Sequence, residues 1–414
     1  MQLLPGFRDF YPDDCARRNY ILATWREVAR RYGFVEYDGP VLEPISLYEK
    51  KSGGELVGQL FDFTDKGERH VAMRPEMTPT LARMVAARER DFKKPMKWFC
   101  CPQFFRYEKP QRGRGREFYQ FNADIIGELS PSADAEMLAL VIDLMRSFGF
   151  DTKHFVVRIS DRDAWTQFAL KRGVSEERVL DFLGIVDKLE RSSETDSEKK
   201  LAEFGITLEA VRAFIADPSS EVLKLTGIQR DLRSRGFEGC VEIDLTIVRG
   251  LAYYSGLVFE VFDRSKKLRA LAGGGRYDNL LSLMSDGKVD LPALGFGTSD
   301  VIIGEFINDT PQAKAKMEAW IAQNNAADIY VVIAKEERRA DALAIVQQLR
   351  DAGLRVDFPL TDAKVGKQFQ TAEHLGARLA VLVGDEWPKV KIKTLATREE
   401  TLVPAEQLAA HLAL

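Results

Sequence analysis

The sequence predicts an α+β chain that ends in a small α/β domain. Three observations carry that expectation. Residues 96–127 read as two aromatic β-strands around a basic loop, residues 161–240 lose their strand signals and become charged helices, and from Asp328 the pattern alternates β-α-β-α-β. Such alternation argues for parallel strands joined by helices.

The elements follow in chain order. Ile21, Trp25, Val28 and Tyr32 recur at helical spacing, with Asp13 or Asp14 as cap and Gly33 as stop. Residues 34–42 read as extended, bounded by Pro40 and Pro44, and residues 79–90 as a helix. Trp98, Phe99, Phe104 and Phe105 make one strand aromatic; Phe118, Phe121, Ile125 and Ile126 do so for the next. A helix is expected from about Ser132 to Phe148, with Pro131 near its start and Gly149 past its end. Within 161–240, Ser192–Ser197 reads as an exposed turn. Strands are expected at 241–248 and 257–263, a tight turn at Gly273–Gly275, an apolar segment from Leu291, and a polar helix within 308–327. Beyond it, strands at Ile329–Ile333, Leu354–Phe358 and Leu379–Val383 alternate with helices at Arg339–Asp351 and Val365–Leu375.

The 414 residues allow two to four domains at roughly 100–200 residues each. A net charge of −4 excludes a protein that coats nucleic acid by bulk positive charge, but not a local basic site. Cys15, Cys100, Cys101 and Cys240 form no disulfide framework and no C-x-x-C pair, which points to a reducing, cytoplasmic setting. His70, His154, His374 and His411 are scattered, so no structural metal site is expected. No apolar run approaches the roughly 20 residues of a membrane span, and the N-terminus predicts no signal peptide.

Four segments can carry chemistry. Phe105–Glu117 holds five cations and two carboxylates, with Gly113 and Gly115 between them. It reads either as a polyanion site built from guanidinium forks or as a solvated hairpin tip. Val248–Gly256 places Arg249 beside Tyr253 and Tyr254, as an anion site next to an aromatic pocket or as a turn with packed tyrosines. Gly273–Asp278 lacks both nucleotide-loop spacings and reads as a turn presenting Arg276 or Tyr277. In Met73–Pro79, Glu76 and Thr78 stand just before a helix, where they bind an ammonium or cap the helix.

Taken together, these segments resemble the histidyl-tRNA synthetases, a family of class II aminoacyl-tRNA synthetases, over nearly the whole chain. Gly6–Pro12 looks like the family's N-terminal signature, Gly33–Glu43 like class motif 1 and Arg106–Asp124 like motif 2. Arg249–Tyr254 and Gly273–Tyr277 look like the two histidine-specific motifs, and 328–414 like the anticodon-binding domain. The resemblance implies an antiparallel sheet with helices, split as catalytic core 1–160, helical insertion 161–240, core 241–307, linker 308–327 and anticodon-binding domain 328–414. It also implies a cytoplasmic homodimer with motif 1 at the interface.

The implied reaction activates L-histidine with ATP and Mg²⁺ and transfers it to tRNA(His), with no organic prosthetic group. Arg106 and Arg249 would be catalytic, on either side of the α-phosphate. Glu108, Phe118 and Arg114 would take the adenine edge, the base face and the terminal phosphates. Glu76, Thr78 and Gln120 would surround the amino group, and Asp124, Tyr254 and Tyr277 the imidazole. Gln111 and Arg112 would meet the tRNA acceptor end. Three positions depart from the family pattern: Asp124 stands for a Glu, Ala252 for an Asp, and Ile302 for the motif 3 Arg. Either another cation substitutes for that Arg, with Arg276 as the candidate, or ATP binds differently, or activation is lost. The alternative is a histidine-sensing paralogue, the regulatory subunit of ATP phosphoribosyltransferase. That regulator typically lacks the C-terminal domain and parts of these motifs.

Overall fold

The computed structural model describes every residue except 1, 50–56, 190–191, 218–222, 250–252 and 413–414. The departure at Ala252 therefore lies outside the described residues. The chain forms two compact units, Met1–Lys316 and Met317–Leu414. The division falls inside the helix Pro311–Asn325, within the segment expected as a linker.

The first helix spans Pro12–Arg31 and buries Tyr20, Ile21, Trp25 and Val28. Pro12 suits its first turn because no partner is needed for a missing N–H. Tyr11 is the N-cap, so neither Asp13 nor Asp14 caps the helix; both sit in the first turn, where carboxylates meet the positive end of the dipole. Gly33, at φ +75°, ends it. The Tyr32 hydroxyl shares its one proton between Asp143 at 2.8 Å and the Ala139 carbonyl at 3.0 Å, docking the helix against Pro131–Ser147.

Among the described residues, the core of unit 1 is a nine-stranded sheet. Eight strands run in the order Val35–Glu36, Met96–Cys100, Glu117–Ile126, Ala293–Ser299, Ala272–Arg276, Ser255–Asp263, Phe155–Asp161, Val241–Ile243, and the ninth, Gln103–Phe105, pairs with Glu117–Ile126 off this path. The pairs at the two edges are parallel and all those between are antiparallel. The expected first aromatic strand is divided at Cys101-Pro102. Met96–Cys100 and Gln103–Phe105 pair with opposite halves of Glu117–Ile126. The expected extended run 34–42 is also divided, because Leu42–Pro44 leaves for a separate sheet with His70–Met73 and Phe61–Thr64.

Two local expectations are corrected. Ser192–Ser197 is not an exposed turn: the Ser193 side chain accepts from the Asp196 N–H at 3.2 Å, caps the helix Glu194–Ala202, and Ser197 is buried. Serine followed by acidic residues is a helix start as much as a turn. Gly273–Gly275 is not a turn either, but the middle of the strand Ala272–Arg276.

In unit 2, Val356–Asp357, Ile329–Ile333 and Leu379–Val383 are parallel, as the alternation predicts. Lys389–Thr394 and Glu400–Pro404 add an antiparallel hairpin that the alternation does not show. Ile329–Ile333 is buried on both faces. Val331 packs in the cluster of Ile345 and Leu349, Val332 in that of Ala372 and Ala380.

Asp328 opens this unit and binds Arg355, its carboxylate accepting from the Arg355 backbone and guanidinium at 2.9–3.0 Å. Those bonds hold the Asp328 carboxyl down at about 2, against burial. The lowered folded value means the stabilisation is complete above the unfolded carboxyl range and is lost as pH falls through about 4 towards 2. Asp328→Asn is expected to lower unit stability at pH 7 by about 1 kcal/mol after solvent screening, with most of that penalty gone near pH 2. Thermal melts of wild type and variant across pH check this; a constant difference at every pH contradicts it.

Candidate functional site

One face of the central sheet carries a cavity of about 280 Å³. Alternation along Glu117–Ile126 puts Phe118, Gln120, Asn122 and Asp124 on its floor. Gly295 and Gly297 on the adjacent strand and Gly273 on the strand beyond it complete that floor. A Cβ on Gly295 would stand 2.1 Å from Asp124 Oδ1, one on Gly297 2.5 Å from Gln120 Nε2, and one on Gly273 1.5 Å from Arg249 Nη1. The glycines therefore clear a layer in which longer polar side chains lie flat across the strands.

One end of the cavity is aromatic and acidic. The Tyr277 hydroxyl donates to Asp124, and both residues are buried. Burial raises the Tyr277 hydroxyl well above its ordinary range, and the Asp124 charge raises it further. Tyr253 and Tyr254 pack beside them with tilted rings 4.9 Å apart, and Tyr253 is edge-on to Tyr277 at 6.2 Å. Glu76 and Thr78 also face this cavity. Gln120 donates to the Asn122 side chain at 2.6 Å.

The rest of the lining is cationic. Arg249 adopts a left-handed backbone, φ +55°, which few non-glycine residues do. Its guanidinium donates to the Phe259 carbonyl at 3.3 Å, meets Glu260 at 3.3 Å and lies 5.4 Å from the Tyr254 ring. Burial works against that charge, but Tyr254 and Glu260 more than offset it and raise the group above its ordinary value. Arg106 donates to the Pro75 carbonyl at 2.8 Å and lies over the Phe118 ring at 5.3 Å. Arg114 pairs with Glu108 at 2.8 Å.

Three expected residues are elsewhere. Arg276 does not line the cavity. Its side chain is 1% exposed and lies 2.6 Å from Asp134, with further bonds to the Glu128 and Ser130 carbonyls. Alternation explains this: Gly273 and Tyr277 share a parity that Arg276 does not, so the strand turns Arg276 to the opposite face. Arg276 is therefore corrected from a phosphate ligand to a structural cation. Its contact with Asp134 is a buried ion pair, which Lys224 joins at 3.6 Å. Gln111 forms a bridge to Arg114 at the loop tip, and Arg112 binds Glu305 and Asp309 at 2.8–2.9 Å outside the cavity.

Among the lining residues that sequence reasoning did not single out are Asn122, Glu260 and Arg269. Parity with Gln120 and Asp124 was enough to find Asn122. Arg269 sits in a charged hairpin with no motif to mark it. Among the described residues, no cluster of His, Cys, Asp or Glu could hold a metal ion, and no helix is long and apolar enough to cross a membrane.

Comparison with known proteins agrees with this layout. Residues 6–299 match the family model described as histidyl-tRNA synthetase, and residues 328–413 match an anticodon binding domain. A curated histidine–tRNA ligase from Opitutus terrae is 43% identical, covering 99% of this chain and 97% of its own. The chloroplastic/mitochondrial histidine–tRNA ligase of Arabidopsis thaliana is 36% identical over 97% of this chain and 85% of its own. A crystal structure of histidyl-tRNA synthetase from Nostoc sp. PCC 7120 superposes with a TM-score of 0.79 at 25% identity, covering 100% of this chain and 98% of that one. The sensing paralogue is not favoured, because the likeness to curated ligases runs the full length and includes the anticodon binding domain. The chain belongs to the histidyl-tRNA synthetase family.

Proposed function

We propose that this cavity activates L-histidine with ATP and hands the histidyl group to the 3′ end of tRNA(His). The observation that carries the proposal is the polarity of the cavity: a buried Asp124–Tyr277 pair at one end and guanidinium groups over the rest. The Asp124 carboxylate would accept an imidazole N–H, and a buried acceptor rejects side chains that cannot donate to it. Tyr254 would close the ring pocket, while Glu76, Thr78 and Gln120 would hold the amino group.

In the first step a histidine carboxylate oxygen bonds to the α-phosphorus and the bond to pyrophosphate breaks. In the second, the terminal tRNA hydroxyl attacks the histidyl carbonyl and AMP leaves. Negative charge grows on the phosphoryl oxygens in step one, so cations held in place beforehand lower the barrier most. Arg106 and Arg249 are our candidates, with Arg114 on the terminal phosphates. Glu108 and Phe118 would meet the adenine, and Mg²⁺ would enter bound to ATP. Unit 2 has 12 basic and 13 acidic residues from Asp328 onward, so anticodon reading there would rest on placed contacts rather than bulk charge. Gln111 and Arg112 are proposed for the acceptor end; Arg112 would first exchange Glu305 and Asp309 for phosphate.

A cytoplasmic homodimer is part of this reading. All four cysteines are unpaired, and Val35, Val41 and Leu42 are 44–64% exposed in the motif 1 segment. The decisive assay is histidine-dependent exchange of pyrophosphate into ATP with Mg²⁺ present. We expect exchange that needs histidine; its absence from well-folded protein sinks the ligase reading.

A further inference from the structure

Position 302 supplies packing, not charge. Ile302 is 3% exposed, and its Cδ1 would lie 2.6 Å from a Cβ placed on Gly113. Gly113, at φ +74°, lets the basic loop settle directly on that methyl. With Arg276 committed to Asp134 on the other face, neither position brings a cation to the terminal-phosphate end.

Arg269 does reach the cavity wall. It lies in the hairpin that joins Ser255–Asp263 to Ala272–Arg276, and it is solvent-exposed. The hairpin is well tied. The Asp263 carboxylate accepts from the Ser265 and Lys267 backbones at 2.8 and 3.1 Å and from the Ser265 hydroxyl at 2.6 Å. Leu271 is buried, donates to the Val261 carbonyl at 2.7 Å and accepts from the Thr298 hydroxyl at 2.7 Å. The backbone on either side of Arg269 is thus fixed, while its guanidinium makes no hydrogen bond or ion pair among the described residues. Although the side chain reaches solvent, partial desolvation by the surrounding protein and the nearby Arg114 charge lower its affinity for a proton, and Glu108 offsets this in part. Arg114, Arg106 and Arg269 are like charges around one space, which a polyanion would neutralise together.

We propose that Arg269 binds the terminal phosphates of ATP across the cavity from Arg114, supplying the cation that position 302 does not. This rests on the ligase reading for the identity of the polyanion. A triphosphate fits because three guanidinium groups need more charge than one phosphate carries.

The test compares full-length wild type with Arg269→Ala, Arg269→Lys and Lys267→Ala, the last a hairpin cation outside the cavity. Pyrophosphate exchange gives KM for ATP and for histidine; calorimetry gives the binding of MgATP and of AMP. Arg269→Ala is expected to raise KM for ATP and weaken MgATP binding by about tenfold or more. KM for histidine and AMP binding should change by less than about twofold, and Arg269→Lys should recover part of the loss. The inference is overturned by an unchanged KM for ATP, by equal loss of ATP and AMP binding, or by the same effect from Lys267→Ala. Failure of wild type to exchange would count against the ligase reading alone, since the ATP-to-AMP binding ratio still decides the role of Arg269.

Discussion

Replacing Arg249 with alanine is expected to slow histidine-dependent pyrophosphate exchange by about a hundred- to a thousandfold. Histidine binding should weaken by less than about tenfold. The asymmetry follows from how Arg249 is held. A left-handed backbone, the Phe259 carbonyl, Glu260 and the Tyr254 ring all fix the guanidinium before any substrate arrives. A cation fixed in advance spends no reorganisation energy when charge develops at phosphorus, so its worth is greatest in the transition state. Arg249→Lys keeps the charge but loses the fork, and should recover only a fraction of the rate. Single-turnover rates beside equilibrium histidine titration check the split. Parallel losses of rate and binding would make Arg249 a binding residue only.

The second large effect is expected from a single methyl group. In Gly295→Ala the new Cβ would stand 2.1 Å from Asp124 Oδ1 and 2.9 Å from the Ala123 carbonyl. The carbonyl belongs to a central strand paired on both sides, so the strand cannot yield and Asp124 must move. KM for histidine is expected to rise by about ten- to a hundredfold, the cost of misplacing one charge-assisted hydrogen bond. KM for ATP should change little. Gly297→Ala offers a graded comparison, because its Cβ would meet the Gln120 amide end, which can swing aside. A rise in KM for ATP rather than histidine would show that the substrate imidazole does not lie at Asp124. Thermal melts separate this from overpacking, which costs typically about 1–3 kcal/mol.

Much of this site could be read from the residues because its chemistry is concentrated in short runs. The basic loop between two aromatic strands stands out against an acidic chain, and the period of two along 117–126 points Phe118, Gln120 and Asp124 the same way. The Ile21–Trp25–Val28 stripe and the final β-α-β-α-β run were legible for the same reason, a clean period. What failed was local propensity. Three glycines in a row suggest a turn, yet the sheet supplies enough pairing to hold them extended, and the close approach of Arg249 over Gly273 is what demands glycine. Arg276 was misassigned because the presumed turn hid the strand parity that sends it to the opposite face. Phe61–Thr64 carries too few residues for a period to show, whereas Lys389–Thr394 alternates Lys-Val-Lys-Ile-Lys-Thr and is marked by its own period of two.

The ion pairs along the cavity also bear on which anions it keeps. Arg114 is engaged by Glu108, Arg249 by Glu260 and Arg106 by the Pro75 carbonyl. A phosphate oxygen arriving at one of these three guanidinium groups would share it with an internal partner already in place. Orthophosphate can contest one such pairing and gains little from the swap. A triphosphate contests several at once, and its entropic cost of docking is met only once. If these cations bind the nucleotide as proposed, the cavity would discriminate by the length of the phosphate chain, and the abundant free phosphate of a cell should be a poor inhibitor of it.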